Sequence, residues 1–217
     1  MAMTMKRLLA VGLFGAAIMS ATPASADSLN LTGLGKGEWI TVKFGNTTEL
    51  GWAGEANWLL SSQGFTGNIY TYCVDLFDGA LNTQNPVTAK STDDLNSSTT
   101  PYVTDGAGAR AAWLFNTYSN TIHTLGDTAQ AAGLQLAIWE TMYAPGAFTF
   151  QASAAATTFA SQYLTSLGTN TSSAIFFDAK LGQGQDQITR VPEPATVLLC
   201  LLALPLLFVF RRRRVAA

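Results

Sequence analysis

The stretch Gly67-Asn68-Ile69-Tyr70-Thr71-Tyr72-Cys73-Val74-Asp75-Leu76-Phe77 carries the clearest strand pattern in the chain. Aromatic and β-branched residues dominate it, and such side chains suit a pleated, half-buried surface. Its period of two predicts Ile69, Thr71, Cys73 and Asp75 on one face and Tyr70, Tyr72, Val74 and Leu76 on the other. Upstream, Trp39-Ile40-Thr41-Val42-Lys43-Phe44 alternates between glycines and predicts another strand. Gly51 to Leu60 mixes Trp52, Trp58 and Leu59 with glycine and fits no single pattern. Asn82 to Tyr102, rich in Thr, Ser and Asn, reads as a loop.

Downstream the period changes. Ala107 to Tyr118 predicts a helix with Trp113 and Leu114 inward. Asp127 and Gln130 have capping-box spacing and open a second helix running to about Tyr143, which Pro145-Gly146 stops. Ala152 to Leu167 predicts a third, with Phe159, Tyr163 and Leu167 four residues apart. Ser172 to Ile188 predicts one or two returning strands. Antiparallel strands followed by about three helices predict an α+β domain.

The ends read differently. Lys6 and Arg7, an apolar run from Leu8 to Ile18 and Ala24-Ser25-Ala26 form a secretory signal peptide, cut after Ala26. At the other end, Pro192-Glu193-Pro194 precedes an apolar run from Ala195 to Phe210, then Arg211, Arg212, Arg213 and Arg214. At ~1.5 Å per residue that run spans about 24 Å, short for a bilayer core, and the arginines hold its end in the cytoplasm. The expected organisation is therefore a signal peptide over 1–26, a folded domain over 27–190 and a sorting segment with a transmembrane helix over 191–217.

The 217 residues are 48% hydrophobic and 12% charged, with a net charge of −2, which excludes a disordered chain and gives no basis for nucleic-acid binding. Asp27 to Val191 holds six Lys/Arg against thirteen Asp/Glu, so the exported part is acidic at −7. Cys73 is its one cysteine and His123 its one histidine. An internal disulfide and a structural zinc cage are thereby excluded from that part, and no cofactor is implied.

The Pro-Glu-Pro triplet, short apolar helix and arginine cluster resemble the PEP-CTERM sorting signal of Gram-negative bacteria. That resemblance implies an exosortase as processing partner, membrane attachment through the C-terminal helix before processing, and an exported location in the cell envelope or extracellular matrix.

The folded part resembles the thioester domain of bacterial surface adhesins. Tyr72-Cys73-Val74-Asp75 on a strand, followed by Gln135-Leu136-Ala137-Ile138-Trp139 on a helix, carries the likeness, with Ala111-Ala112-Trp113-Leu114 between them. It covers roughly Trp39 to Leu167. It implies an internal thioester between Cys73 and Gln135. Tyr72, Asp75, Trp113, Trp139 and Tyr143 are the expected supporting residues: the chemistry calls for shields against water, which the tryptophans suit, and for donors at the oxyanion, which backbone N–H groups or the hydroxyl of Tyr72 or Tyr143 can supply. The expected function is adhesion or biofilm-matrix attachment by one covalent capture of a surface amine or hydroxyl, from a protein lysine or a polysaccharide, without enzymatic turnover. Three rivals stand beside it: a structural matrix protein with a buried free Cys73, a Cys73–His123 hydrolase dyad, and a domain binding carbohydrate noncovalently through its tryptophans.

Overall fold

The computed structural model describes residues 27–62, 65–76, 78–95, 104–179 and 184–190. The segments read above as a signal peptide and a sorting tail, with Pro192, Glu193, Pro194 and Arg211 to Arg214, lie outside them. No helix among the described residues is long and apolar enough to cross a membrane.

The order of elements is β1 (Asp27–Phe44), β2 (Thr47–Ser62), β3 (Phe65–Cys73), β4 (Thr83–Ser91), a 3-10 turn (Thr92–Asp94), α1 (Ala107–Leu125), α2 (Thr128–Met142), β5 (Thr149–Gln151), α3 (Ala154–Leu167), β6 (Ile175–Ala179) and β7 (Gln187–Thr189). The fold is α+β, as the order of patterns predicts.

All strand pairings are antiparallel, in the order β2-β3-β7-β6-β4-β1-β5. β1 also pairs with β2, so six of these strands close on themselves and β5 hangs from the far half of β1. Closure removes the open edges along most of the sheet.

Closure also explains two departures from the sequence reading. Thr83 to Ser91 reads as polar loop, yet it forms β4, because the ring needs a strand between β1 and β6. Only its inward positions, such as Gln84 and Val87, are buried, so it lacks an apolar face to announce it. The unassigned Gly51–Leu60 segment lies inside β2, a 16-residue strand. Its alternation is broken where Gly37 and Gly54 face each other across the β1–β2 ladder. A Cβ on Gly54 would sit 2.3 Å from the carbonyl oxygen of Lys36, so the two backbones approach too closely for a side chain.

Two apolar cores follow from the pleat. Leu29, Ala56, Trp58, Leu60, Val87, Phe177 and Ala179 fill the inside of the closed sheet. Tyr72, Phe176 and Ile188 face outward onto a larger core shared with the helices. α2 is its centre: Ala131, Leu134, Ile138 and Met142 are fully buried. The predicted capping box is present, with Asp127 accepting from the Gln130 N–H at 2.8 Å and Gln130 Oε1 accepting from the Asp127 N–H at 3.0 Å. α3 crosses α2 where Gly133 leaves space; a Cβ there would lie 2.6 Å from that of Phe159.

Candidate functional site around Cys73

Cys73 ends β3, and across the ladder it faces Gln187 of β7. The Val74 N–H donates to the Asp186 carbonyl at 3.0 Å, so the main-chain bonds flank this pair instead of joining it. A pair of that type brings its Cα atoms to about 4.5 Å and its side chains closer than the alternative register does. Both side chains point to the inner face, beside Thr71 on one strand and Phe177 on another.

The contacts follow from that register. Gln187 Nε2 donates to Cys73 Sγ at 3.2 Å, and the thiol donates to Gln185 Oε1 at 2.8 Å. The side-chain Oε1 of Gln187 accepts from Thr71 Oγ1 at 2.6 Å, and Thr71 Oγ1 accepts from Trp58 Nε1 at 2.9 Å. Gln187, Thr71 and Trp58 are wholly buried, and Cys73 is 7% exposed.

Gln135, the glutamine named from the helix motif, does reach Cys73, but through the main chain. Its Oε1 accepts from the Cys73 N–H at 2.9 Å and its Nε2 donates to the Cys73 carbonyl at 2.7 Å. The physical reason is the end of β2, whose ladder with β3 stops at Ala56 opposite Thr71. Cys73 would otherwise bury two backbone groups without a strand beside it, at a cost of about 1–3 kcal/mol each. A carboxamide has the donor and acceptor of a peptide group and fills the place. Gln84 does the same on the other side, accepting from the Gln185 N–H at 2.7 Å and donating to its carbonyl at 3.2 Å. Gly184 makes room, since a Cβ there would meet Gln84 Oε1 at 2.5 Å. The Cys73–Gln187 pair is thus bracketed by two carboxamides that lock its neighbouring backbone.

The supporting residues separate. Trp139 is buried and, with Cys73, lines a cleft of about 410 Å³ whose other walls include Leu34, Trp39, Leu50 and Trp52. Trp113 does not line this cleft; it stands edge-on to Tyr118 with ring centroids 6.0 Å apart. Tyr143 braces the segment after Cys73: its hydroxyl accepts from the Leu76 N–H at 3.0 Å and lies 3.3 Å from Asp75 Oδ1. The Tyr72 side chain points away, into the core under the helices, beside Glu55. Tyr72 is thus buried on the opposite face of β3 from the Cys73 sulfur, and Tyr143 is engaged with Leu76 and Asp75. His123 is also on that outer side, its ring stacked on Tyr70 at 4.1 Å and its Nδ1 3.2 Å from Glu55 Oε2. The sulfur's hydrogen-bond partners are Gln185 and Gln187, so the hydrolase dyad has no geometric basis.

Comparison with family models, curated proteins and solved structures finds no match to this chain.

Burial pushes the Cys73 thiol up to about 12; the Gln187 hydrogen bond opposes this and the Asp75 charge adds to it. The sulfur is therefore a neutral thiol at neutral pH, and a neutral acylated sulfur suits the site better than a thiolate. Asp186, beside Gln187 in sequence, is pushed up to about 7 by burial, with the Ala179 N–H opposing and the Asp178 and Asp75 carboxylates reinforcing. Its native state keeps a proton that the unfolded chain releases near pH ~4, so stability falls as pH rises from there through 7. Asp186→Asn keeps an acceptor for the Ala179 N–H and removes this titration. In thermal melts it should lose less stability than wild type between pH 4.5 and 7.5, by on the order of 2 kcal/mol. An asparagine variant less stable than wild type at pH 7.5 would contradict this reading of Asp186.

Gln187 was not legible as a site residue from the sequence. The one available signal was spacing: Gln183, Gln185 and Gln187 recur at the period of a strand.

Proposed function

We propose that this protein closes an internal thioester between Cys73 Sγ and Gln187 Cδ and uses it for one covalent attachment to a surface amine or hydroxyl. The observation that carries the reading is the contact of Cys73 Sγ with the Gln187 carboxamide, 3.2 Å from sulfur to nitrogen, across a pair of strands at a cleft floor. The sequence motif suggests Gln135 as acyl donor; the geometry favours Gln187 and gives Gln135 the work of holding Cys73.

The chemistry balances without an added reagent. Sulfur attacks Cδ, the Sγ–Cδ bond forms and the Cδ–Nε2 bond breaks. The thiol proton leaves with the amide nitrogen as ammonia. Primary amides resist thiols in water, so the fold must supply the drive through placement. Holding reacting groups at near-contact distance contributes roughly 7–11 kcal/mol in favourable cases. Both groups sit on paired strands whose backbones are braced by Gln135 and Gln84, which is the rigidity such placement needs.

The product is an electrophile within reach of the cleft. A nucleophile entering past Trp39 and Trp52 attacks the acyl carbon, leaves an amide or ester on residue 187 and frees the Cys73 thiol. One molecule attaches once. Trp139, in the cleft wall, helps keep water from the bond until a target docks. The signal peptide and the PEP-CTERM-like tail fit a protein that an exosortase processes at a Gram-negative envelope, where a single irreversible bond has use in adhesion or matrix building.

The test is intact mass. Folded wild-type protein should weigh about 17 Da less than its processed sequence, the mass of one ammonia, and Cys73→Ala should show no deficit. A wild-type mass equal to the sequence would leave Cys73 as a buried thiol and remove the covalent reading.

A further inference from the structure

We infer that Thr71 is a catalytic residue of the Cys73–Gln187 reaction, donating the hydrogen bond that stabilises the oxyanion, with Trp58 as its positioning residue. This rests on the thioester reading and adds a group that neither sequence motif includes.

Sulfur attack on the Gln187 carboxamide pushes the carbonyl electron pair onto Oε1. Charge developing in a buried site needs a donor already aimed at it. Thr71 Oγ1 is 2.6 Å from that oxygen, a short O–H···O separation that already aims the hydroxyl at the atom where charge develops. A hydroxyl has one proton and must be directed. Here the Trp58 Nε1–H donates into Thr71 Oγ1 at 2.9 Å and occupies its acceptor side. The other acceptor near the hydroxyl is the Ala56 carbonyl at 3.5 Å, too distant to compete with the bond to Gln187. Both Thr71 and Trp58 are wholly buried, so water does not replace either bond freely.

The same carboxamide places its nitrogen toward the sulfur and its oxygen toward Thr71. As the carbon becomes tetrahedral, Oε1 gains charge against the hydroxyl while the amine gains basicity beside the thiol proton. The Cδ–Nε2 bond then breaks, ammonia leaves, and the carbonyl re-forms with its oxygen still at Thr71. Attack on the finished thioester by an amine passes through a tetrahedral centre with the same oxygen. Thr71 should therefore speed both closing and opening, and a group that only supported the fold would change neither rate once folding is complete.

The experiment compares Thr71→Ser, Thr71→Ala and Thr71→Val in the full chain made by cell-free synthesis. Intact mass is followed in time, folding is checked by circular dichroism, and methylamine uptake is timed on whatever thioester accumulates. Loss of one oxyanion donor typically slows a reaction about 100- to 1,000-fold. We expect serine to form the bond within about threefold of wild type, and alanine and valine to be slower by about 100-fold while folded. Should valine fail to fold, serine against alanine still isolates the hydroxyl. Equal closing rates for folded serine and alanine variants would overturn the role of Thr71 and leave the thioester intact in wild type. A wild type without the ammonia deficit would instead overturn the parent reading.

Discussion

Gln187→Ala is expected to abolish the ammonia deficit and all covalent uptake of small amines while the domain stays folded. The variant loses the acyl carbon itself, so the effect is complete and not a change of rate. Its structural cost is limited. Gln187 is one buried side chain on a three-residue strand, and its removal leaves the Thr71 hydroxyl only the more distant Ala56 carbonyl, at a cost of about 1–3 kcal/mol. The measurement is intact mass before and after incubation with methylamine, beside a thermal melt. A folded Gln187→Ala protein that still lacks ammonia would move the acyl donor elsewhere, and Gln135 would be the next residue to examine.

Gln135→Ala should do the reverse: strongly reduce stability and leave the reactive pair in place wherever the chain remains folded. The truncation strips both partners from the Cys73 peptide groups inside a buried helix–sheet seam. Two unpaired backbone groups cost about 2–6 kcal/mol together, and for a domain of this size that lowers the melting temperature by about 10 °C. The folded fraction should still show the ammonia deficit. A Gln135→Ala protein melting with wild type and carrying no thioester would reverse the roles assigned to the two glutamines.

These two residues also mark how far the sequence could be read. α2 is legible because a short-range device fixes its start, Asp127 with Gln130, and because its apolar positions recur at helical spacing. β3 is legible because its two faces differ, and its inner face already puts Thr71 and Cys73 together. Gln135 stands out in the sequence as a polar group among apolar neighbours, and it is indeed buried against Cys73. Its partner atoms are another matter: which atoms of Cys73 it meets depends on where β2 stops, a fact of tertiary structure. Gln187 is less visible still. Its function arises from a ladder register between strands more than 100 residues apart in sequence, and register is set by closure of the whole sheet. β4 was hidden for a related reason, since a strand that completes a ring can be polar on most of its length.

The cleft gives the proposed reaction its direction. Trp39 is 58% exposed and stands edge-on to Trp52 across the β1–β2 ladder, with centroids 5.5 Å apart. Together with Leu34 and Leu50 they make an apolar approach to a sulfur that is otherwise enclosed. Such a surface lets a partner dock before the acyl carbon is reached, and desolvation on docking strengthens the hydrogen bonds at the carboxamide.

The most direct measurement is peptide mapping of wild-type protein treated with methylamine in its folded state. The account predicts a methylamide on residue 187, a free thiol on Cys73, and no label on any glutamine in Cys73→Ala. Label on Gln135 would contradict the assignment of the acyl donor, and the absence of label from every glutamine of the folded wild-type protein would contradict the thioester itself.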